Sequence, residues 1–185
     1  MITKFVYHAS KVGGLKVLEP KPSTHKKKWV YATKDIATAA MFLGENFDFI
    51  CQTGLENGKP YIYEQFKGAF KEAYSGQKGS IYKLDTSGFK ENQTSFSGEV
   101  VFGKPAKVIE EIKIPDALKY LEKFKKEGKI KIYKFPHKPK GAPHDKSDII
   151  EKAVVWTKDF GEDILEQVKK YHPDVLSDVK KRLKV

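Results

Sequence analysis

Short runs in which apolar and polar residues alternate dominate the first part of the chain, and this period of two is typical of β-strands. Apolar residues between Ile36 and Leu43 recur instead at helical spacing, with Thr33 suited to the N-cap and Gly44 to the end of the helix. This part is therefore predicted to be mostly strands with one helix. Strands are predicted at residues 4–7, 15–18, 29–32, 47–51, 61–66, 69–74, 80–84, 99–102 and 107–114.

The pattern changes after residue 116. Asp116 is predicted to cap an amphipathic helix that ends near Gly128, and residues 129–135 alternate strictly, as in an edge strand. Helices are predicted at residues 147–155, at 159–171 and from Pro173 onward. We therefore predict an α+β protein with two parts. Residues 1–116 form a core of two small packed sheets with a cleft between them, and residues 117–185 form a mostly helical, lysine-rich extension packed on the outside.

Composition narrows the function. The formal charge is +11, and Arg182 is the only arginine. A basic protein attracts polyanions, but sequence-specific readers of nucleic acids usually employ arginine forks rather than lysine. Cys51 is the only cysteine, which excludes an intramolecular disulfide and a cysteine-based metal site. No apolar stretch approaches the length of a membrane span, and there is no sign of a secretory leader, so we expect a cytoplasmic protein that does not engage membranes.

Three residues whose side chains could bind a ligand or take part in catalysis lie at or near strand boundaries. His8 follows the first predicted strand immediately, and the small residues Ala9 and Ser10 come next. Tyr31 lies on a strand just before a strand-to-helix turn. Glu99 opens a late strand after a long polar loop, and loops of that length are often functional.

With their flanks, these residues resemble the ADP-ribosyltransferase-like superfamily, in its His-Tyr-Glu branch. The stretches that carry the resemblance are Tyr7-His8-Ala9-Ser10, Val30-Tyr31-Ala32-Thr33, Ile81-Tyr82-Lys83-Leu84, Gly98-Glu99-Val100-Val101 and Pro105-Ala106-Lys107-Val108-Ile109. The resemblance covers roughly the first two-thirds of the chain. It implies a split two-sheet core that binds NAD as a substrate.

The resemblance also implies a role for each residue. His8, assisted by Ser10, would bind a ribose hydroxyl, the Ala9 backbone would pair with the nicotinamide amide, and Tyr31 would stack on the nicotinamide ring. Glu99 would stabilise the oxocarbenium-like ribose and orient the attacking hydroxyl. The implied catalytic residues are Glu99, His8 and Tyr31, and the implied NAD-binding residues are His8, Ala9, Ser10, Tyr31 and Thr33.

Some features depart from the family pattern. Many protein-modifying members carry a glutamate or glutamine two residues before the catalytic glutamate, where this chain has Ser97. The acceptor of ADP-ribose therefore stays open between a protein and a nucleic acid. The arginine-rich phosphate pocket of the RNA 2′-phosphotransferase relatives is missing, and Lys11 or Lys16 is the candidate to face the NAD diphosphate instead.

An alternative function is a non-catalytic module with the same fold. Such a module would bind nucleic acid through the lysine-rich run at residues 123–140, in which Tyr133 and Phe135 lie between the lysines. A solvated edge strand protected by lysines explains this run equally well. Glu64, also on a predicted strand, is a second-choice acid.

Overall fold

A computed structural model describes residues 4–22, 27–45 and 47–185. It shows a mixed protein with two sheets and several helices, which confirms the predicted α+β class. The strands are β1 Phe5–Ser10, β2 Val17–Leu18, β3 Lys21–Pro22, β4 Lys28–Thr33, β5 Cys51–Glu56, β6 Lys59–Glu64, β7 Gly79–Asp85, β8 Lys90–Glu91, β9 Glu99–Phe102, β10 Ala106–Ile114 and β11 Lys131–Tyr133. The helices are α1 Ile36–Met41, α2 Phe47–Ile50, α3 Ala69–Tyr74, α4 Ala117–Lys126, α5 Ser147–Phe160, α6 Asp163–Tyr171 and α7 Leu176–Leu183, with a 3₁₀ turn at Pro173–Val175.

The larger sheet has the strand order β2-β10-β7-β1-β4-β9-β8, and β3 pairs with β4. Its central strand β1 is held very differently on its two sides. Six residue pairs join β1 to β7, from Phe5↔Asp85 to Ser10↔Ser80. On the other side, the described residues show one pair with β4, Tyr7↔Thr33. The sheet is therefore continuous on one side of β1 and nearly split on the other.

The smaller sheet has the order β11-β6-β5. β5 and β6 form a hairpin that turns at Asn57 and Gly58, both with positive φ, as the Asn-Gly signal predicts. β11 lies at the edge and runs parallel to β6. The predicted edge strand is thus confirmed, although it spans only Lys131–Tyr133.

Two predicted strands are wrong. Residues 47–50 form α2, and the strand begins at Cys51. Residues 69–74 form α3, in which Ala69, Phe70, Ala73 and Tyr74 are buried. These positions recur at i, i+1, i+4 and i+5, which is one face of a helix, but six residues are too few to separate that pattern from alternation.

Helix boundaries also differ from the prediction. The N-cap of α1 is Asp35, whose carboxylate accepts the Thr38 amide at 2.9 Å, whereas Thr33 is the last residue of β4. The carboxylate of Asp35, two residues later, accepts the helix amide in place of the Thr33 hydroxyl, which donates to the Asp35 carbonyl instead. α5 is continuous from Ser147 to Phe160, through the predicted break, and ends at Gly161, whose φ is +98°.

Hydrophobic contacts cross the predicted division at residue 116. α4 buries Leu121 and Phe124 in the same cluster as α1 and α3, and Ile130 joins them. α5, α6 and α7 form another cluster, to which the N-terminal part contributes Phe49. No helix in the described ranges has the length and apolarity needed to cross a membrane.

The buried side chain of Glu64 connects its own strand β6 with α3 and with the residues that follow β11. It lies on β6 and is only 2% exposed. Its carboxylate accepts the Phe70 amide at 3.0 Å, the Phe135 amide at 3.0 Å and the Lys134 ammonium at 3.1 Å. Burial alone would raise the pKa of Glu64, but the two amides and Lys134 outweigh it, so this pKa lies below its ordinary value. Glu64 is thus a structural carboxylate, and it does not line the cleft described below.

Replacing Glu64 with Gln is expected to lower the free energy of unfolding at pH 7 by about 2–3 kcal/mol, because charged hydrogen bonds to a buried group are lost. Because the folded pKa is the lower one, the wild-type advantage is complete above the unfolded pKa of about 4.3 and is lost as pH falls through the folded pKa. Urea unfolding at several pH values measures this.

Glu110→Gln is the matched control, since the Glu110 ion pair with Lys83 is exposed. Its cost is expected to stay within about 0.5 kcal/mol. An equal loss in both variants, or a Glu64→Gln deficit that does not narrow in acid, would contradict this role.

The thiol of Cys51 is expected to be inert in the folded protein. Cys51 is fully buried, and burial, with Glu64 nearby, raises its pKa far above the ordinary range. Ellman's reagent at pH 8 should therefore label Cys51 in urea but not in buffer. Rapid labelling in buffer would show that the strand β5 opens readily.

Candidate functional site

A cleft of about 740 Å³ lies where the pairing between β1 and β4 stops. This volume falls within the range of about 300–1,000 Å³ that is usual for small-molecule sites. Strands β1, β4 and β9 supply one group of lining residues, and β5 and α5 supply another. Phe42, which follows α1, and Phe96, which precedes β9, also line it, with their rings 6.2 Å apart.

The structure brings most of the sequence-predicted site residues together at this cleft. His8, Ala9, Tyr31, Thr33 and Glu99 all line it, although they come from three different strands. The antiparallel pairing of β4 with β9 sets Thr33 opposite Glu99, which explains how residues so distant in sequence meet.

Ser10 is the exception, because it is not among the cleft-lining residues. Its Oγ accepts the Val12 amide at 3.1 Å and so closes the turn after β1. The ribose-binding assistance implied for Ser10 therefore has no support in this geometry. Thr33 lines the cleft, but its hydroxyl donates to the Asp35 carbonyl at 2.8 Å and is 3% exposed.

His8 bridges the split in the sheet. Its Nδ1 lies 2.7 Å from the Tyr31 carbonyl oxygen, and since a carbonyl only accepts, Nδ1 carries the proton. Burial lowers the pKa of His8, the bond to Tyr31 opposes that shift, and Lys21 adds to it, with a net pKa below the ordinary value. The ring is therefore neutral at pH 7, and its Nε2 is an acceptor for a hydroxyl donor.

Tyr31 is held in place by its neighbours. Its hydroxyl donates to the Lys27 carbonyl at 3.2 Å, and its ring meets Trp29 edge-on, with centroids 6.0 Å apart. The phenol is thus anchored at its far end, and the ring remains part of the cleft lining. Such an anchored aromatic ring suits stacking rather than proton transfer.

Glu99 is positioned by a tight turn. Its amide donates to the Phe96 carbonyl at 3.0 Å, which closes residues 96–99. Gly98 fits this turn because a Cβ there would lie 3.1 Å from the Phe96 ring and 3.2 Å from Leu55. Ser97 is not among the lining residues.

Sequence reasoning missed the contribution of α5. Lys152, Trp156, Asp159 and Phe160 line the cleft, and the Lys152 ammonium donates to Gln52 at 2.9 Å. Residues 152, 156 and 160 recur every four positions and therefore share one helix face. This spacing was visible in the sequence, but nothing in the sequence showed that this face meets the strand-rich part.

The lysines predicted to face a diphosphate lie elsewhere. Neither Lys11 nor Lys16 lines the cleft, and the Lys11 ammonium donates to Gln77 at 2.9 Å. Among the described residues, Lys152 is the lysine that lines it, together with the carboxylates of Glu99 and Asp159. The described ranges contain no group of three or more His, Cys, Asp or Glu side chains arranged to hold a metal ion.

The lysine-rich run at residues 123–140 is extensively ion-paired. Lys129 pairs with Glu127 at 2.7 Å, and Lys134 pairs with Glu64 at 3.1 Å. Lys123 also pairs with Glu127, and Lys131 pairs with Glu56. This compensation reduces the attraction of the run for a polyanion.

Searches against protein-family models, curated proteins and solved structures found no match to this chain.

The His8 ring is expected to titrate below the ordinary histidine pKa of about 6.5, with the proton of the neutral form on Nδ1. A ¹⁵N-resolved NMR titration measures both properties. A pKa above 6.5, or a neutral form protonated on Nε2, would contradict the bridge to Tyr31.

Proposed function

We propose that this protein binds NAD in the cleft and transfers its ADP-ribose to an acceptor, as an ADP-ribosyltransferase-like enzyme. The observation that carries the proposal is the convergence of His8, Tyr31 and Glu99 on one cleft. These residues come from β1, β4 and β9, in the order and on the strands that the resemblance requires.

The ribose and nicotinamide ends of NAD suit the floor of the cleft. The free Nε2 of neutral His8 accepts a ribose hydroxyl, which a protonated ring would not. Ala9 has no side chain beyond Cβ, so a ligand amide can approach its backbone closely. The anchored ring of Tyr31 offers a face to the nicotinamide.

The chemistry then centres on Glu99. The bond between ribose C1′ and the nicotinamide nitrogen breaks, and nicotinamide leaves with the electron pair. The carboxylate of Glu99 stabilises the positive charge that develops on the ribose. The acceptor forms a new bond to C1′ and releases one proton, so the products are ADP-ribosylated acceptor, nicotinamide and a proton.

Lys152 is the candidate to face the NAD diphosphate, in place of Lys11 or Lys16. Its ammonium lies at the cleft beside Gln52 and 5.5 Å from the centre of the Trp156 ring. A lysine offers a point charge rather than a bidentate grip, which is consistent with a diphosphate held mainly by its charge.

The alternative, a non-catalytic module that binds nucleic acid through residues 123–140, has weaker support. Ion pairs compensate several of those lysines, and the run contributes no residue to the cleft. That alternative also does not explain why His8, Tyr31 and Glu99 line the same cleft.

Glu99→Gln is expected to slow nicotinamide release at least about 100-fold while NAD still binds, because the lost charge acts mainly in the transition state.

His8→Ala is expected to weaken NAD binding at least about tenfold, because a ribose hydroxyl loses its partner. Calorimetry measures the affinity, and chromatographic detection of nicotinamide measures turnover. NAD affinity should also fall as pH drops through the lowered pKa of His8.

Glu122→Gln, on the exposed surface of α4, is the control and should change neither quantity. If folded wild-type protein does not bind NAD, the proposal is wrong. If Glu99→Gln retains full turnover, the role given to Glu99 is wrong.

A further inference from the structure

The antiparallel strands β3 and β4, called the hairpin below, carry three lysines beside the cleft, and these are without an ion-pair partner among the described residues. Lys21, Lys27 and Lys28 are exposed, and Lys21 pairs with Trp29 across the two strands. The hydroxyl of Tyr31, which lines the cleft, donates to the Lys27 carbonyl at 3.2 Å and so places this pair of strands beside the cleft. Within the part of the chain that the structure describes, no carboxylate forms an ion pair with any of these three lysines.

Aromatic rings extend from this hairpin into the cleft. The Lys27 ammonium lies 5.0 Å from the centre of the Trp29 ring, and Trp29 contacts Tyr31 at the cleft. On α5, the rings of Trp156 and Phe160 are 6.0 Å apart, and Phe160 is 50% exposed. Trp29, Tyr31 and Trp156 are half-buried, so part of each ring surface is open to solvent beside the exposed Phe160.

This combination of aromatic rings and exposed lysines suits one class of macromolecule. Unpaired bases stack on aromatic side chains, while the phosphates that join them follow positive charge. Duplex nucleic acids hide the faces of their bases, and an acidic protein surface would use the lysines but not the rings. On the basis of the proposed function, we propose that the acceptor of ADP-ribose is a single-stranded nucleic acid, which reaches Glu99 along the hairpin.

The transfer step balances with a nucleotide as acceptor. A base nitrogen or a hydroxyl of the strand attacks C1′ of the ribose as the bond to nicotinamide breaks. The attacking group then releases one proton to solvent, and nicotinamide leaves neutral. No oxidant, reductant or further reactant is needed.

Binding is tested with the full-length protein and fluorescein-labelled strands of about 12 nucleotides, a length within the usual site sizes. DNA strands, RNA strands and duplexes form separate arms of the experiment. The chain has two tryptophans, Trp29 and Trp156, and both belong to the proposed path. Single strands should therefore quench the intrinsic fluorescence and raise the anisotropy of the label, whereas duplexes should do neither at the same concentration.

Lys27→Gln/Lys28→Gln should weaken single-strand binding about tenfold in 50 mM salt and lower the salt slope by about 1.4, or about 0.7 for each phosphate contact. Lys125→Gln/Lys126→Gln on α4 removes the same charge from two exposed lysines outside the path and should change affinity less than twofold. Phe160→Ala should weaken binding at least about fivefold through lost stacking.

With wild-type protein, label from the ADP-ribose part of NAD should then appear on the bound strand. With the Glu99→Gln variant, the strand should stay unlabelled. This inference would be overturned if the two double variants weakened binding equally or if duplexes bound more tightly than single strands. It would also be overturned if labelled NAD, added with the protein to a cell lysate, labelled only proteins. NAD binding is measured separately, without any oligonucleotide. Failure to bind NAD rejects the proposed function, whereas NAD turnover without binding of single strands rejects only the acceptor.

Discussion

The loss of pairing between β1 and β4 is the constraint on which the candidate site depends. β1 is fully paired to β7, yet a single residue pair, Tyr7↔Thr33, joins it to β4. Backbone groups that lose their strand partner need another partner. The His8 imidazole supplies one by donating to the Tyr31 carbonyl at 2.7 Å. A single side chain thus closes part of the gap and leaves the remainder as a cleft.

The same contact sets the chemical state of the site. By donating through Nδ1, His8 is fixed in one tautomer, and burial keeps the ring neutral by lowering its pKa. The proposed catalytic carboxylate, Glu99, comes from β9, which is held in register with β4. Under the proposed function, the split would position the groups that bind NAD, and the intact pairing of β4 with β9 would position the carboxylate.

The strand-borne part of the site was predictable because local alternation and neighbouring small residues are properties of the sequence itself. Tyr31 and Glu99 lie on strands as expected, whereas His8, expected just after the first strand, lies inside β1, which continues to Ser10. The helices α2 and α3 were missed because four and six residues are too few for a period to be decided. The α5 side of the cleft was missed for another reason, since helical spacing shows which residues share a face and not what that face contacts. The net charge indicated that the protein is basic, but it did not show which lysines are paired with acids and which are not. The lysines of residues 123–134 are mostly paired with acids, whereas Lys21, Lys27 and Lys28 have no acidic partner among the described residues.

The α5 side of the cleft has a consequence for how the protein is assembled. Trp156 packs against a helical cluster that includes Ile149, Val168 and Val179, and the Phe160 ring contacts Trp156. Phe49 joins this cluster from the strand-rich part. A ribosome makes β1, β4 and β9 well before it makes these helices. A nascent chain that has not reached α5 therefore lacks one wall of the cleft. The cleft is complete only when the C-terminal helices pack against Phe49.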